Sequence, residues 1–266
     1  MKVDGIFLIL GIMGSRNKFL QKFGTIFLID IIFFVLFSLI GYFGFKTILE
    51  RMNLLNKMGP QLYSLLGQIQ GQTLETLNIT GLTEQVSSVE AQVHSLQLLM
   101  FIVPLFLFIL YILFQSVSWD LAGRKETKFK EILDLKYLWP FLGITLIYFV
   151  ILGVLWSVLF STLDLGTYII ILMLISFIFK YFLFVNYAYI HKERNFWKAF
   201  RRSFYLGFNK VASLFLIYLL VTIISVALIG AFRFLSISGG GLIILGVLLI
   251  LMFDFIKIYF SYKIEN

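Results

Sequence analysis

Six stretches of this chain, 24–45, 98–119, 137–162, 167–190, 211–232 and 242–261, are runs of mostly apolar residues with almost no charge. A helix needs ~20 such residues to cross the ~30 Å hydrocarbon layer of a bilayer, where lipid offers the backbone no hydrogen-bond partner. The composition agrees: 60% of the 266 residues are hydrophobic and 14% are charged. A water-soluble chain carries about 25% charged residues to cover its surface. With 31 Phe and 3 Pro the chain is neither disordered nor collagen-like, and zero Cys excludes disulfides, thiolate metal sites and a catalytic thiol. The expectation is an all-α, polytopic integral membrane protein with one membrane domain over 1–266.

Orientation follows from Lys and Arg, which are retained on the cytoplasmic side. Seventeen of the 22 fall in the N-terminal stretch (Lys2, Arg16, Lys18, Lys22), in 124–136, in 192–210 and near the C-terminus (Lys257, Lys263). Lys46, Arg51, Lys57 and Arg233 lie on the opposite side, and Lys180 lies within a span. Both termini are therefore expected in the cytoplasm of a cell-membrane protein. The net charge of +8 then reflects topology and contact with anionic lipid head groups, not nucleic acid. The apolar run 5–14 is too short to span and lacks a cleavage site of small residues, so it reads as an interfacial helix, not a signal peptide.

An internal repeat lies beneath the hydropathy. The odd spans share Ile26-Phe27-Leu28-Ile29-Asp30, Ile144-Thr145-Leu146-Ile147-Tyr148 and Leu214-Phe215-Leu216-Ile217-Tyr218. The even spans close on Val117-Ser118-Trp119, Tyr187-Ala188-Tyr189 and Phe260-Ser261-Tyr262, each with a small residue before an aromatic one. Basic stretches with apolar residues at helical spacing precede the odd spans: Phe129, Ile132 and Leu133 in one, Phe196, Ala199, Phe200 and Phe204 in another. The unit is an interfacial helix followed by a two-span hairpin, used three times. The first hairpin carries a surplus that matches the polar stretch 46–97.

That insertion has two heptad-like seams, Leu55, Met58, Leu62, Leu65, Ile69 and Leu82, Val86, Val89, Val93, Leu96, with turn residues Asn78 and Gly81 between them. It predicts an extracytoplasmic antiparallel helical hairpin continuing the first two spans, with Gly59-Pro60 kinking or breaking its first arm. Either the arms pair, or their apolar stripe lies on the membrane or on a protein partner. Asn78-Ile79-Thr80 matches the glycosylation sequon.

Catalytic chemistry is poorly represented. His94 and His191 fall on opposite sides of the membrane, no GxSxG elbow occurs, and Gly239-Gly240-Gly241 lacks the Lys of a phosphate loop and reads as a flexible turn. No catalytic, metal or cofactor residue is assigned. Charges at membrane depth are costly and informative. Asp30, Lys180 and Asp254 all fall about 10–15 Å below the cytoplasmic surface. They can share one layer, with Lys180 between two carboxylates and Asn186 and Lys257 nearer the cytoplasmic mouth. This candidate polar cluster reads as a transport site, a structural ion pair, or independent groups that snorkel. As a buried pair, it predicts that Lys180→Leu costs far more stability than Lys192→Leu. Asp164 and Arg233 can form a second, exposed pair.

The segment Phe196-Trp197-Lys198-Ala199-Phe200-Arg201-Arg202-Ser203-Phe204, leading through Asn209 to Leu216-Ile217-Tyr218, resembles the six-span membrane domain beside bacterial glycerophosphodiester phosphodiesterases and in related membrane proteins of uncharacterised function. In that group an aromatic-x-x-Ala-x-x-x-Ser-Phe segment precedes the fifth span. The resemblance covers 119–262 and implies a six-span architecture. The phosphodiesterase domain has no counterpart in these residues, so that activity does not carry over, and the insertion 46–97 departs from the family pattern. Two functional readings follow: a non-enzymatic scaffold or accessory subunit docking a partner through 46–97, or a small transporter or channel using Asp30, Lys180 and Asp254. Three similar hairpins are not the inverted repeat of secondary transporters. A lipid-handling enzyme is a third reading, favoured by polar side chains converging on a lateral opening.

Overall fold

The computed structural model describes residues 16–71, 79–124, 135–162, 164–193, 195–234 and 239–265. They form helices α1 (Arg16–Gly71), α2 (Ile79–Gly123), α3 (Leu135–Thr162), α4 (Leu165–Ile190), α5 (Phe196–Asn209), α6 (Val211–Phe234) and α7 (Gly239–Glu265), with no strand among the described residues. All of these except the short amphipathic α5 are long and apolar enough to cross a membrane, six in total. The chain is an all-α polytopic membrane protein. The run 5–14, the stretch containing Phe129, Ile132 and Leu133, and Asn78 of the sequon lie outside the described residues.

The first two spans are far longer than a bilayer requires. Helix α1 has 56 residues and α2 has 45, about 84 and 68 Å of helix at 1.5 Å per residue. Of the kink or break expected at Gly59-Pro60, the break does not occur. Pro60 sits inside α1 and is exposed, so the carbonyl it leaves without a donor stays accessible and the helix continues at the loss of one hydrogen bond. Nor are Gly239, Gly240 and Gly241 a turn: α7 begins at Gly239. Beside a nonpolar span nothing competes for the helical hydrogen bonds, so the weak propensity of Gly is overridden.

Two compact units divide the chain, one of residues Phe33–Tyr111 and the other of Met1–Ile32 with Ile112–Asn266. In the first, the α1 and α2 segments pair antiparallel. Phe33 meets Tyr111 at 6.2 Å between ring centroids, Ile48 packs with Val103 and Leu107, and Arg51 Nη1 donates to Gln92 Oε1 at 2.5 Å. Gly44 permits the approach, since a Cβ there would lie 2.6 Å from Val103 Cγ1. We expect Gly44→Ala to lower stability by on the order of 1 kcal/mol, readable as a shift of the thermal unfolding midpoint in detergent; no shift would place the pair further apart than described. Of the expected seams, Leu55, Met58, Val89 and Leu96 are half-buried. Val86 and Val93 keep 54% and 38% of their surface. The side chains of Leu62, Leu65, Ile69 and Leu82 lie outside the described residues.

In the second unit α4 packs against α3, α5 and α7, while α6 packs against α5 and α7. The three hairpins share one helical phase. Ile26, Ile144 and Leu214 are each fully buried, Leu28, Leu146 and Leu216 each exposed, and Asp30, Tyr148 and Tyr218 each buried again. Burial at the first and fifth residues with exposure at the third is what one helix face against a core requires. The ends of the even spans match too, with Val117, Tyr187 and Phe260 buried. The expected Asp164–Arg233 pair does not form. Asp164 instead caps α4, accepting the Thr167 N–H at 3.0 Å, and that backbone donor holds its carboxyl below the usual range.

Candidate functional site

A charged layer crosses α1, α2 and α7. Lys257 is wholly buried, as is Asp254, and Asp30 keeps 4% of its surface. The Lys257 ammonium forms a short ion pair with Asp30 Oδ2, donates to Ser118 Oγ at 2.8 Å, and stands 3.7 Å from Asp254 Oδ1. Asp30 also accepts from Gln115 Nε2 at 3.1 Å and from Ser118 Oγ at 3.2 Å. Neither oxygen of Asp254 has a hydrogen bond among the described residues. Two carboxyl groups face one ammonium, so the layer is electroneutral when it holds one further proton.

Lys257, not Lys180, therefore stands between the carboxylates. Depth brought Asp30, Lys180 and Asp254 to one level, but side-chain direction decides who meets. Side chains tilt toward their helix N-terminus. Helix α1 starts at the basic end of the bundle, so Asp30 leans toward that end. Helices α4 and α7 finish there, so Lys180 and Lys257 both lean away from it. Lys257, one turn past Asp254, is carried back to meet both carboxylates, while Lys180 is carried further from Asp30. Lys180 makes no ion pair or hydrogen bond among the described residues; its Nζ lies 5.6 Å from the centroid of the Phe253 ring.

Asn186 belongs to a different network. It is fully buried, its Nδ2 donates to Tyr148 Oη at 3.0 Å, and its Oδ1 accepts from Ser203 Oγ at 2.5 Å. Ala199, Ser203 and Gly207 form the buried stripe of α5, so the Ala and Ser of the quoted segment are the residues that seat the amphipathic helix against α3 and α4. Nearby, Phe141 stacks on Tyr187 at 4.0 Å, Trp119 lies 5.6 Å from Tyr187, and the Tyr187 hydroxyl meets Thr145 Oγ1 at 2.8 Å.

No protein-family model, curated protein or solved structure matches this chain. What the arrangement can do is thus read from its own chemistry.

At the basic end, lysines cap carbonyls that close the second and sixth spans. Lys22 Nζ donates to the Ala122 and Arg124 carbonyls, each at 2.7 Å, Lys210 Nζ to Lys263 O at 2.6 Å and Lys192 Nζ to Ile264 O at 3.4 Å. Cations there also oppose the negative end of the helix dipole. Burial, with the Lys192 and Lys263 charges near, lowers the Lys210 ammonium below its ordinary range. Asp120 ties this end together, receiving Arg124 Nε at 2.9 Å and lying 3.3 Å from His191 Nδ1. Reading by depth passed over Asp120, Gln115 and Ser118; spacing would have found Gln115 and Ser118, since Gln115, Ser118 and Ala122 recur at three and four residues on a face of α2. No group of His, Cys, Asp or Glu able to hold a metal occurs among the described residues.

Proposed function

We propose that this membrane protein is a non-enzymatic scaffold or accessory subunit that docks a protein partner through the paired arms within 46–97. The observation that carries the reading is exposed apolar surface on the arms: Val86 and Val93 of the second seam keep 54% and 38% of their surface, and Met52 and Leu54, outside the seams, keep 44% and 45%, on helices that continue past the length a crossing needs. The basic end is the cytoplasmic one in this reading, held by anionic head groups, and the arms are extracytoplasmic. The transport alternative, using Asp30, Lys180 and Asp254, has less behind it, because Lys257 and Asp254 are sealed among helices and Lys180 stands apart from them.

Photo-crosslinking residues placed singly at Val86 and Val93 in cells test the docking. The expected product is one discrete protein adduct at both positions and none at Ile223, a lipid-facing control, with the adduct lost in the Val86→Lys, Val93→Lys protein. Adducts to lipid alone would end the scaffold reading. Impermeant labelling at Gln70 tests the orientation, and protection there from the outside would invert it.

A further inference from the structure

A cavity of about 400 Å³ opens between α4, α6 and α7. Its walls are largely apolar, among them Leu172, Val221 and Ile256, and its polar groups are Ser176, Lys180, Tyr218, Thr222 and Ser225. Three of those hydroxyls are already spent: Thr222 donates to Tyr218 O and Ser225 to Val221 O, each at 2.8 Å, and Tyr218 donates to Phe177 O at 3.2 Å. Ser176 has no hydrogen bond, and Lys180 no hydrogen bond or ion pair, among the described residues. The donors left to a guest are therefore the Lys180 ammonium and the Ser176 hydroxyl, one turn apart on α4.

Lys180 lies ten residues before the end of α4 at Ile190, about 15 Å along the helix, and its four-carbon stem leans away from that end. The Lys180 side chain is exposed, so its ammonium can be reached from outside the bundle. A cation at that depth with no protein counter-charge is costly, and the buried carboxylates of Asp30 and Asp254 pair with Lys257. Phe253 offers its ring to both ammoniums, at 5.6 Å for Lys180 and 5.9 Å for Lys257, which eases but does not neutralise the charge.

We infer that this cavity binds the carboxylate of a lipophilic monocarboxylic acid, such as a long-chain fatty acid, with Lys180 as the counter-ion, Ser176 as a second donor and the apolar walls around the chain. Charge complementarity selects the class: one ammonium is balanced by one monoanion. Depth selects within it. A phospholipid phosphate is anchored at head-group level, well above Lys180, whereas a fatty acid crosses hydrocarbon as the neutral acid and pairs as the anion once it meets the amine. The volume falls within the ~300–1,000 Å³ of ordinary small-molecule pockets.

The experiment is equilibrium binding of radiolabelled palmitate to the full-length protein in nanodiscs. Saturable binding at one site is expected, weakened by about tenfold or more in Lys180→Met, the loss that goes with a charge-assisted hydrogen bond. Lys192→Gln should bind as the wild type does. Ser225→Phe, which fills the cavity and leaves Lys180 in place, should also abolish binding. Lys180→Met should melt no lower than wild type, because its ammonium is not paired within the protein. Hexadecanol and inorganic phosphate should fail to displace palmitate. Absence of saturable binding, equal affinity in Lys180→Met, or displacement by hexadecanol as effective as by unlabelled palmitate would each overturn the inference.

Discussion

Lys257→Leu should lower stability by about 3–5 kcal/mol, the cost of removing one partner of a buried ion pair. The ammonium is wholly buried and pairs with Asp30, Ser118 and the flanking Asp254. Without it, two carboxyl groups remain in a water-poor interior with no cation, and Ser118 loses its donor. The comparison variant is Lys192→Leu, whose exposed side chain makes only a 3.4 Å contact to Ile264 O and should cost little. Denaturant unfolding in mixed micelles measures both. Neutralising the whole layer, Lys257→Leu with Asp30→Asn and Asp254→Asn, should recover much of the loss, since no charge is then stranded. If Lys257→Leu and Lys192→Leu unfold together, the layer is not the closed cluster described. The same logic moves the expectation made for Lys180→Leu onto Lys257.

Asn186→Leu should cost about 1–3 kcal/mol, because it takes the donor from the buried Tyr148 hydroxyl and leaves Ser203 only Phe200 O, within its own helix, as acceptor. Tyr148 Oη loses the amide that donates to it, and Ser203 Oγ loses the acceptor that joins α5 to α4. The loss should be local in character. Hydrogen exchange is expected to quicken over 196–209 well before the α3 and α4 amides respond, since α5 is a single short helix seated by Ala199, Ser203 and Gly207. Uniform exchange across all helices would mean that Asn186 packs the bundle generally and does not hold the interfacial helix.

Much of the architecture was legible because it depends on local quantities. Span positions follow from runs of apolar residues, and the shared helical phase of Ile26, Ile144 and Leu214 was visible as a repeat of five-residue entries. Whether Pro60 would break α1 or be carried inside it was left open by the sequence, because Pro propensity speaks of one lost hydrogen bond and not of what the surroundings tolerate. The charged layer was half legible. Asp30 and Asp254 do stand beside one ammonium, but it belongs to Lys257 and not to Lys180.

Sequence alone determined that this chain belongs in lipid and where its apolar runs fall, since both depend on spacing along one helix and on the price of polar groups in hydrocarbon. Tertiary structure decided the pairing: Lys257 joined to Asp30, Asn186 to Ser203, and Lys180 left facing a cavity. Those outcomes turn on which face each helix presents to its neighbours and which way its side chains lean, quantities that arise only when helices running in opposite directions are packed together.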